Sequence, residues 1–179
     1  VEVHMSSSLY NLNDFLSGKS SLNLTELEEL GNVQGKSLCH LQCHFGQDSI
    51  SWARLGAKVL GLDFSEKAIE EARNLNIKTQ TDAEFVCGNV MEAATIINRE
   101  FDIVFTSYGT IGWIPDLRVW AKQIFTLLKQ GGFFYIVDFH PVVWMYNNEL
   151  TEIQYSYFNV QKIEEVVTGS YADKNAELT

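Results

Sequence analysis

The feature that most constrains this chain is a repeated change of hydrophobic period. Short apolar runs read as strands: GKSLCHLQ at 35–42, KVLGLD at 58–63, EFVCG at 84–88, FDIVFTSY at 101–108 and GGFFYIVDF at 131–139. Segments with a helical period lie between several of them. GQDSISWARLG at 46–56 closes on Gly56, and SEKAIEEARNLN at 65–76 is capped by Ser65, with Ala68, Ala72 and Leu75 on one face. PDLRVWAKQIFTLLK at 115–129 carries Pro115 in its first turn and Leu117, Trp120, Ala121, Ile124 and Leu128 on one stripe. Strands that alternate with helices form a parallel sheet covered on both faces. The expected fold is therefore α/β, a doubly wound, mostly parallel sheet.

Open sheets of this kind bind ligands beyond the carboxyl ends of their strands, where the strand order reverses. The segments that matter are then 41–46, 63–64, 88–90, 106–113 and 138–141. Ahead of the core, residues 1–34 read as a cap segment. It holds a short helix in which Thr25 and Glu28 form a capping box and Gly31 marks the end. Residues 35–141 form the core. Residues 142–179 read as an appended hairpin, TEIQYSYFNV at 151–160 pairing with EEVVTGSY at 164–171, followed by a polar tail.

Charge and cysteine content limit the partners. A net charge of −10 over 179 residues, with lysines and arginines scattered, argues against a nucleic-acid partner and an acidic membrane surface. No apolar run approaches the ~20 residues of a membrane span. Cys39, Cys43 and Cys87 do not have zinc-knuckle spacing, so no metal site is expected, and reduced thiols fit a cytoplasmic protein.

The stretches LCHLQCHFGQDS, KVLGLDFS, FVCGNV, FDIVFTSYGTIGWIPDL and LLKQGGFFYIVDFHP resemble, in order and spacing, the class I S-adenosylmethionine-dependent methyltransferases. The likeness covers about residues 36 to 141. The wording HLQCHFG, with GWIPDL and DFHP, is similar to a bacterial subgroup of uncharacterised small-molecule methyltransferases. The resemblance implies a Rossmann-like fold, S-adenosylmethionine as cofactor and a small-molecule acceptor. It also implies a further helix and antiparallel strand pair that this chain lacks, so the C-terminal part of the fold is expected to be missing.

Under this resemblance Gly46 is the last glycine of the cofactor loop. Gln42 and His44 replace the other two, and His40 replaces the usual acidic residue. Glycine there serves positive φ and close ligand approach. S-adenosylmethionine has no phosphate to cradle, so the loop reads as rebuilt. Helix N–H groups after Gly46 would receive its carboxylate, and Gln42 its ammonium. Cys43 and His44 line the same loop. Asp63, 17 residues past Gly46, is placed to accept from the ribose hydroxyls, with Phe64 against the adenine. Asn89 and the N–H of Val90 are placed to contact the adenine edge. Ser107 and Tyr108 stand where methyl group and acceptor meet, and an aromatic face suits a sulfonium.

His140 is a candidate base, oriented by Asp138 if both side chains turn the same way. His4 and Tyr10 sit in a segment that could fold over the cofactor. Each residue has a plainer role as well: Asp63 as a cap, Asn89 as a turn residue, Phe64 and Cys43 as core, Tyr108 as part of a lid, His140 bonded to loop backbone. Two rival functions stay open: a non-catalytic S-adenosylmethionine-binding module, and a nicotinamide-dependent oxidoreductase. The second needs a glycine-rich diphosphate cradle, for which Gln42 and His44 are poorly suited.

Overall fold

The computed structural model describes residues 10–160. Five strands form one parallel sheet: β1 (Ser37–Leu41), β2 (Lys58–Asp63), β3 (Glu84–Cys87), β4 (Phe101–Ser107) and β5 (Leu128–Val137), in the order β3-β2-β1-β4-β5. The helices are α1 (Leu12–Leu16), α2 (Leu24–Leu30), α3 (Gln47–Arg54), α4 (Glu66–Thr79), α5 (Ala93–Ile97) and α6 (Leu117–Leu127). β1 pairs with β2 on one side and β4 on the other, with Cys39 opposite Leu60 and Val104. The chain therefore winds outward in both directions from β1. The crevice of such a fold lies between the carboxyl ends of β1 and β4.

Alternation along the strands divides the core in two. Leu38, Ile103 and Phe105 face a cluster completed by Phe15, Leu30, Trp52, Ile69 and Leu75 from α1 to α4. Cys39, Leu41, Leu60, Leu62 and Val104 face the opposite cluster with Ala93, Ile97, Trp120, Ile124 and Leu127 from α5 and α6. Both faces are buried, which is why these strands read as nearly continuous apolar runs.

The boundaries differ from the sequence reading for local reasons. α6 begins after Pro115, because the Asp116 side chain accepts from the N–H groups of Arg118 and Val119 and caps the helix there. In α2 the capping box is Asn23 with Glu26, the N–H of Asn23 donating to Glu26 Oε1 at 3.2 Å. Thr25 already lies inside that helix, so its expected box with Glu28 does not form. β5 starts at Leu128, which pairs with Phe101 before a register shift carries Ile103 onto Phe133. Gly132 allows that shift, since a Cβ there would sit 3.0 Å from the carbonyl oxygens of Phe101, Asp102 and Lys129. Within 151–160 there is one antiparallel bridge, Tyr146 to Ile153, and no strand. The expected partner strand at 164–171 and His4 lie outside the described residues.

Asp102 sits at the register shift and joins three strands. Its Oδ2 accepts from the N–H and the hydroxyl of Ser37, both at 2.7 Å, and its Oδ1 from Lys129 Nζ at 3.0 Å. The Ser37 bonds first, then Lys129, hold its carboxyl well below the usual 3.8. The folded state thus favours the charged form. That stabilisation is complete above the unfolded-state value and is lost as pH falls through the lower folded value. Asp102→Asn is expected to melt below wild type at neutral pH, with the gap narrowing as pH is lowered from about 5 to about 2. Thermal melts across that range check it, and a gap independent of pH would contradict the assignment.

Candidate active site

The β1–α3 turn has an unusual backbone. Gln42, His44 and Gly46 adopt φ of 58°, 52° and 82°. A side chain in the left-handed region costs roughly 1–2 kcal/mol. Main-chain bonds hold the turn in place: Cys43 N–H to Leu62 O at 3.0 Å, His44 N–H to Asp63 Oδ2 at 2.8 Å, and Gly46 N–H to Cys43 O at 3.0 Å. At Gly46 a Cβ would come within 2.7 Å of the Phe85 ring, so glycine is required by space as well as by φ. At positions 42 and 44 the side chains have room. Gln42 Nε2 donates to Thr110 O at 3.2 Å, reaching from the β1 turn to the β4 loop, while its Oε1 is buried with no partner among the described residues. The His44 ring packs tilted against Phe45 and Tyr10.

Asp63 ends β2 beside that turn. Its second oxygen accepts from the N–H of Ser65 at 3.0 Å, and Ser65 in turn caps α4 through the N–H of Ala68. Each carboxylate oxygen therefore has one backbone donor and retains acceptor capacity. Phe64 projects from the same tip, 79% exposed, so it is not a core residue. Asn89 is exposed and accepts from Met91 N–H at 3.0 Å, capping the 3₁₀ turn Val90–Glu92, and the Val90 side chain belongs to the core. Cys43 is buried. Burial, then the charge of Asp63, pushes its thiol well up, so it acts as a small apolar residue.

At the tip of β4, Tyr108 has φ of 48°. Its hydroxyl donates between the two oxygens of Glu26 at 2.9 and 3.0 Å, and accepts from Asn23 Nδ2 at 2.7 Å. Glu26 is fully buried. Burial and then the Glu26 bond push the phenol up to about 12. Ser107 Oγ donates to Asp48 Oδ2 at 3.1 Å, and Ser21 Oγ to Asp48 Oδ1 at 2.6 Å. Thus residues 21–26, ahead of the core, are tied to β4 and α3 by three polar side chains, Ser21, Asn23 and Glu26.

Asp138 does not orient His140. Its carboxylate accepts from the N–H groups of Gly109, Thr110, Ile111 and Phe139 and from the Thr110 hydroxyl, shaping the β4 loop. Burial works to raise its carboxyl. The backbone donors of Ile111, Gly109, Phe139 and Thr110 outweigh burial and hold it low. His140 Nδ1 accepts from Val142 N–H at 3.2 Å, which places the proton of the neutral ring on Nε2. In that tautomer Nε2 is a donor, so a base at Nε2 needs the other tautomer. His40 is buried, its Nδ1 shares a hydrogen with Ser49 Oγ at 2.9 Å, and burial lowers it to about 3, so the ring is neutral.

Sequence reasoning missed Glu26, Asn23, Ser21 and Asp48. An N-x-x-E signal at 23–26 was present for the first two. Nothing local marks Asp48. Among the described residues no helix is long and apolar enough to cross a membrane, and no three His, Cys, Asp or Glu side chains converge as metal ligands. Tyr108→Phe would remove the hydroxyl donor from a buried carboxylate, at an expected cost of about 1–3 kcal/mol. A fall in Tm of several degrees checks it, and an unchanged Tm would show that Glu26 is satisfied without Tyr108.

The family model described as a methyltransferase domain matches residues 39–132, from β1 to the turn before the main run of β5. An uncharacterized methyltransferase of Synechocystis is 33% identical over 131 residues, 72% of this chain and 59% of its own length. The demethylmenaquinone methyltransferase of Lactococcus lactis is 32% identical over 125 residues, 67% of this chain and 49% of its own. The chain thus spans about half to three-fifths of the length of these curated relatives. A solved structure of a proposed S-adenosyl-L-methionine-dependent methyltransferase from Methanococcus maripaludis shares the fold, with a TM-score of 0.60 at 20% identity over 76% of this chain and 60% of that one. With the family model matching more than half of its residues, the chain belongs to the methyltransferase-domain family, on a fold shared with the Methanococcus structure.

Proposed function

We propose that this domain holds S-adenosylmethionine over the tips of β1 to β4 and directs its methyl group to a small-molecule acceptor. The left-handed turn at Gln42, His44 and Gly46, pinned by Asp63 at the point where strand order reverses, carries the reading. Strained backbone that the surroundings hold in place is characteristic of ligand clamps. The residues fit the cofactor. Gln42 Oε1 is a buried acceptor lacking a donor, which an ammonium supplies. Asp63 retains lone pairs for ribose hydroxyls, Phe64 offers an exposed ring to the adenine, and Asn89 with the Val90 N–H lies at the next strand tip.

When bound, the cofactor supplies a methyl group activated by its sulfonium. The chain's part is orientation and exclusion of water. Tyr108 is fixed by Glu26 and Asn23 with its ring at the β4 tip, and the Phe139 ring lies 6.3 Å from it. Trp113 and Trp144, both largely exposed, follow β4 and β5. This lining suits an acceptor with an apolar or aromatic body, and the menaquinone relative named above acts on such a molecule by its name. Tyr108 is bonded to Glu26, and His140 presents N–H. The acceptor that fits is one that needs no strong base: a thiol, a neutral amine or an oxygen that ionises readily.

Calorimetric titration with S-adenosylmethionine, its demethylated product S-adenosylhomocysteine, and NAD tests the reading. The first two are expected to bind and NAD is not. The reverse order would favour the oxidoreductase. Asp63→Asn should weaken binding of both by ~1–3 kcal/mol. Gln42→Gly should leave Tm within a few degrees, because relief of strain offsets the added chain entropy, and still weaken binding. A Gln42→Gly chain that binds as wild type would remove the side chain from the site.

A further inference from the structure

We propose that Asp48 is the counter-charge for the ammonium at the methionine end of S-adenosylmethionine. The assignment rests on the cofactor reading above and adds a residue to it. Asp48 is the second residue of α3, directly after the left-handed turn. Its Oδ2 is bonded to Ser107 at the end of β4, so the carboxylate stands between the carboxyl ends of β1 and β4.

Among the described residues no cation pairs with Asp48. Its donors among the described residues are two neutral hydroxyls, Ser21 and Ser107. The three ion pairs among the described residues are Lys19–Asp14, Arg99–Glu84 and Lys129–Asp102, and none includes Asp48. Glu26, buried on α2, adds negative potential. His40, which stands in place of the usual acid, is neutral. An unpaired buried carboxylate is costly, and burial accordingly raises that of Asp48, against the pull of the two serines.

A second observation points the same way. The Gln42 side chain starts in the same turn and reaches the β4 loop at Thr110, and its Oε1 is buried with no donor among the described residues. A negative oxygen and an orphan neutral oxygen beside one crevice call for a ligand end that is positive and only donates. An ammonium is both. The converse also holds. Asp48 already occupies the positive end of α3, so it repels a ligand carboxylate from that helix start. The expectation that the N–H groups after Gly46 receive the cofactor's carboxylate is thereby replaced.

Three ligands separate the outcomes by calorimetry: S-adenosylmethionine, S-adenosylhomocysteine, and 5′-methylthioadenosine, which keeps the nucleoside and sulfur but has no ammonium. Asp48→Asn is expected to weaken the first two by about tenfold or more and to leave the third within about twofold. Unchanged affinity for S-adenosylmethionine in Asp48→Asn would overturn the proposal. So would an equal loss for 5′-methylthioadenosine, which would mean that the turn itself had collapsed. Should Asp48→Asn not fold, the wild-type chain can be titrated with S-adenosylhomocysteine and its deaminated analogue. The analogue is expected to bind at least about tenfold more weakly, and equal affinity would overturn the assignment. If the wild-type chain binds none of the nucleosides, the cofactor reading itself falls and this assignment with it.

Discussion

The bond from His44 N–H to Asp63 Oδ2 is the interaction on which the site depends. It joins the tip of β2 to the turn after β1 and holds a non-glycine residue in a conformation that its own side chain disfavours. Cys43 N–H on Leu62 O fixes the adjacent peptide, and Gly46 lets the turn pass under Phe85. The chain therefore keeps the backbone path of a glycine-rich loop while placing an amide and an imidazole along it. A loop that cradles phosphate cannot spare that space. A loop that receives an amino acid end can use the polar atoms.

The second organising element is the polar seam that joins the N-terminal helices to the crevice. Glu26, Asn23 and Ser21 come from the segment ahead of the core, and they meet Tyr108, Asp48 and Ser107 from β4 and α3. Buried polar groups must be satisfied, so this seam specifies where the N-terminal segment lies. It also makes that segment part of the site. The face of Tyr108 and the charge of Asp48 are set by residues that the sheet does not contain.

The fold was legible because hydrophobic period is a direct consequence of burial. Leu60, Leu62, Val104 and Phe105 are buried, and each of the five sheet strands lies within a few residues of its expected place, whereas the strand expected at 151–160 does not form. Asp63 at the end of β2 and the turn at 42–46 were legible for the same reason, since strand ends locate the crevice. What was not legible depended on long-range contacts. Glu26 looks like a solvent-facing helix residue until Tyr108, 82 positions away, covers it. Thr25 and Asn23 both offer a capping pattern, and the tertiary bond of Asn23 to Tyr108 accompanies the one that forms. Asp138 and His140 looked like a pair two residues apart, yet each is engaged by neighbouring backbone instead. Asp48 gives no signal of its own because its meaning comes from Ser21 and Ser107.

A crystal structure of this chain grown with S-adenosylhomocysteine is the most direct measurement. The account predicts the nucleoside above the 42–46 turn, its ribose hydroxyls on Asp63, with the amino acid end lying between Gln42 and the tip of β4. Ligand density elsewhere, or a crevice closed by Gln42 still bonded to Thr110 with no nucleoside above Asp63, would contradict it.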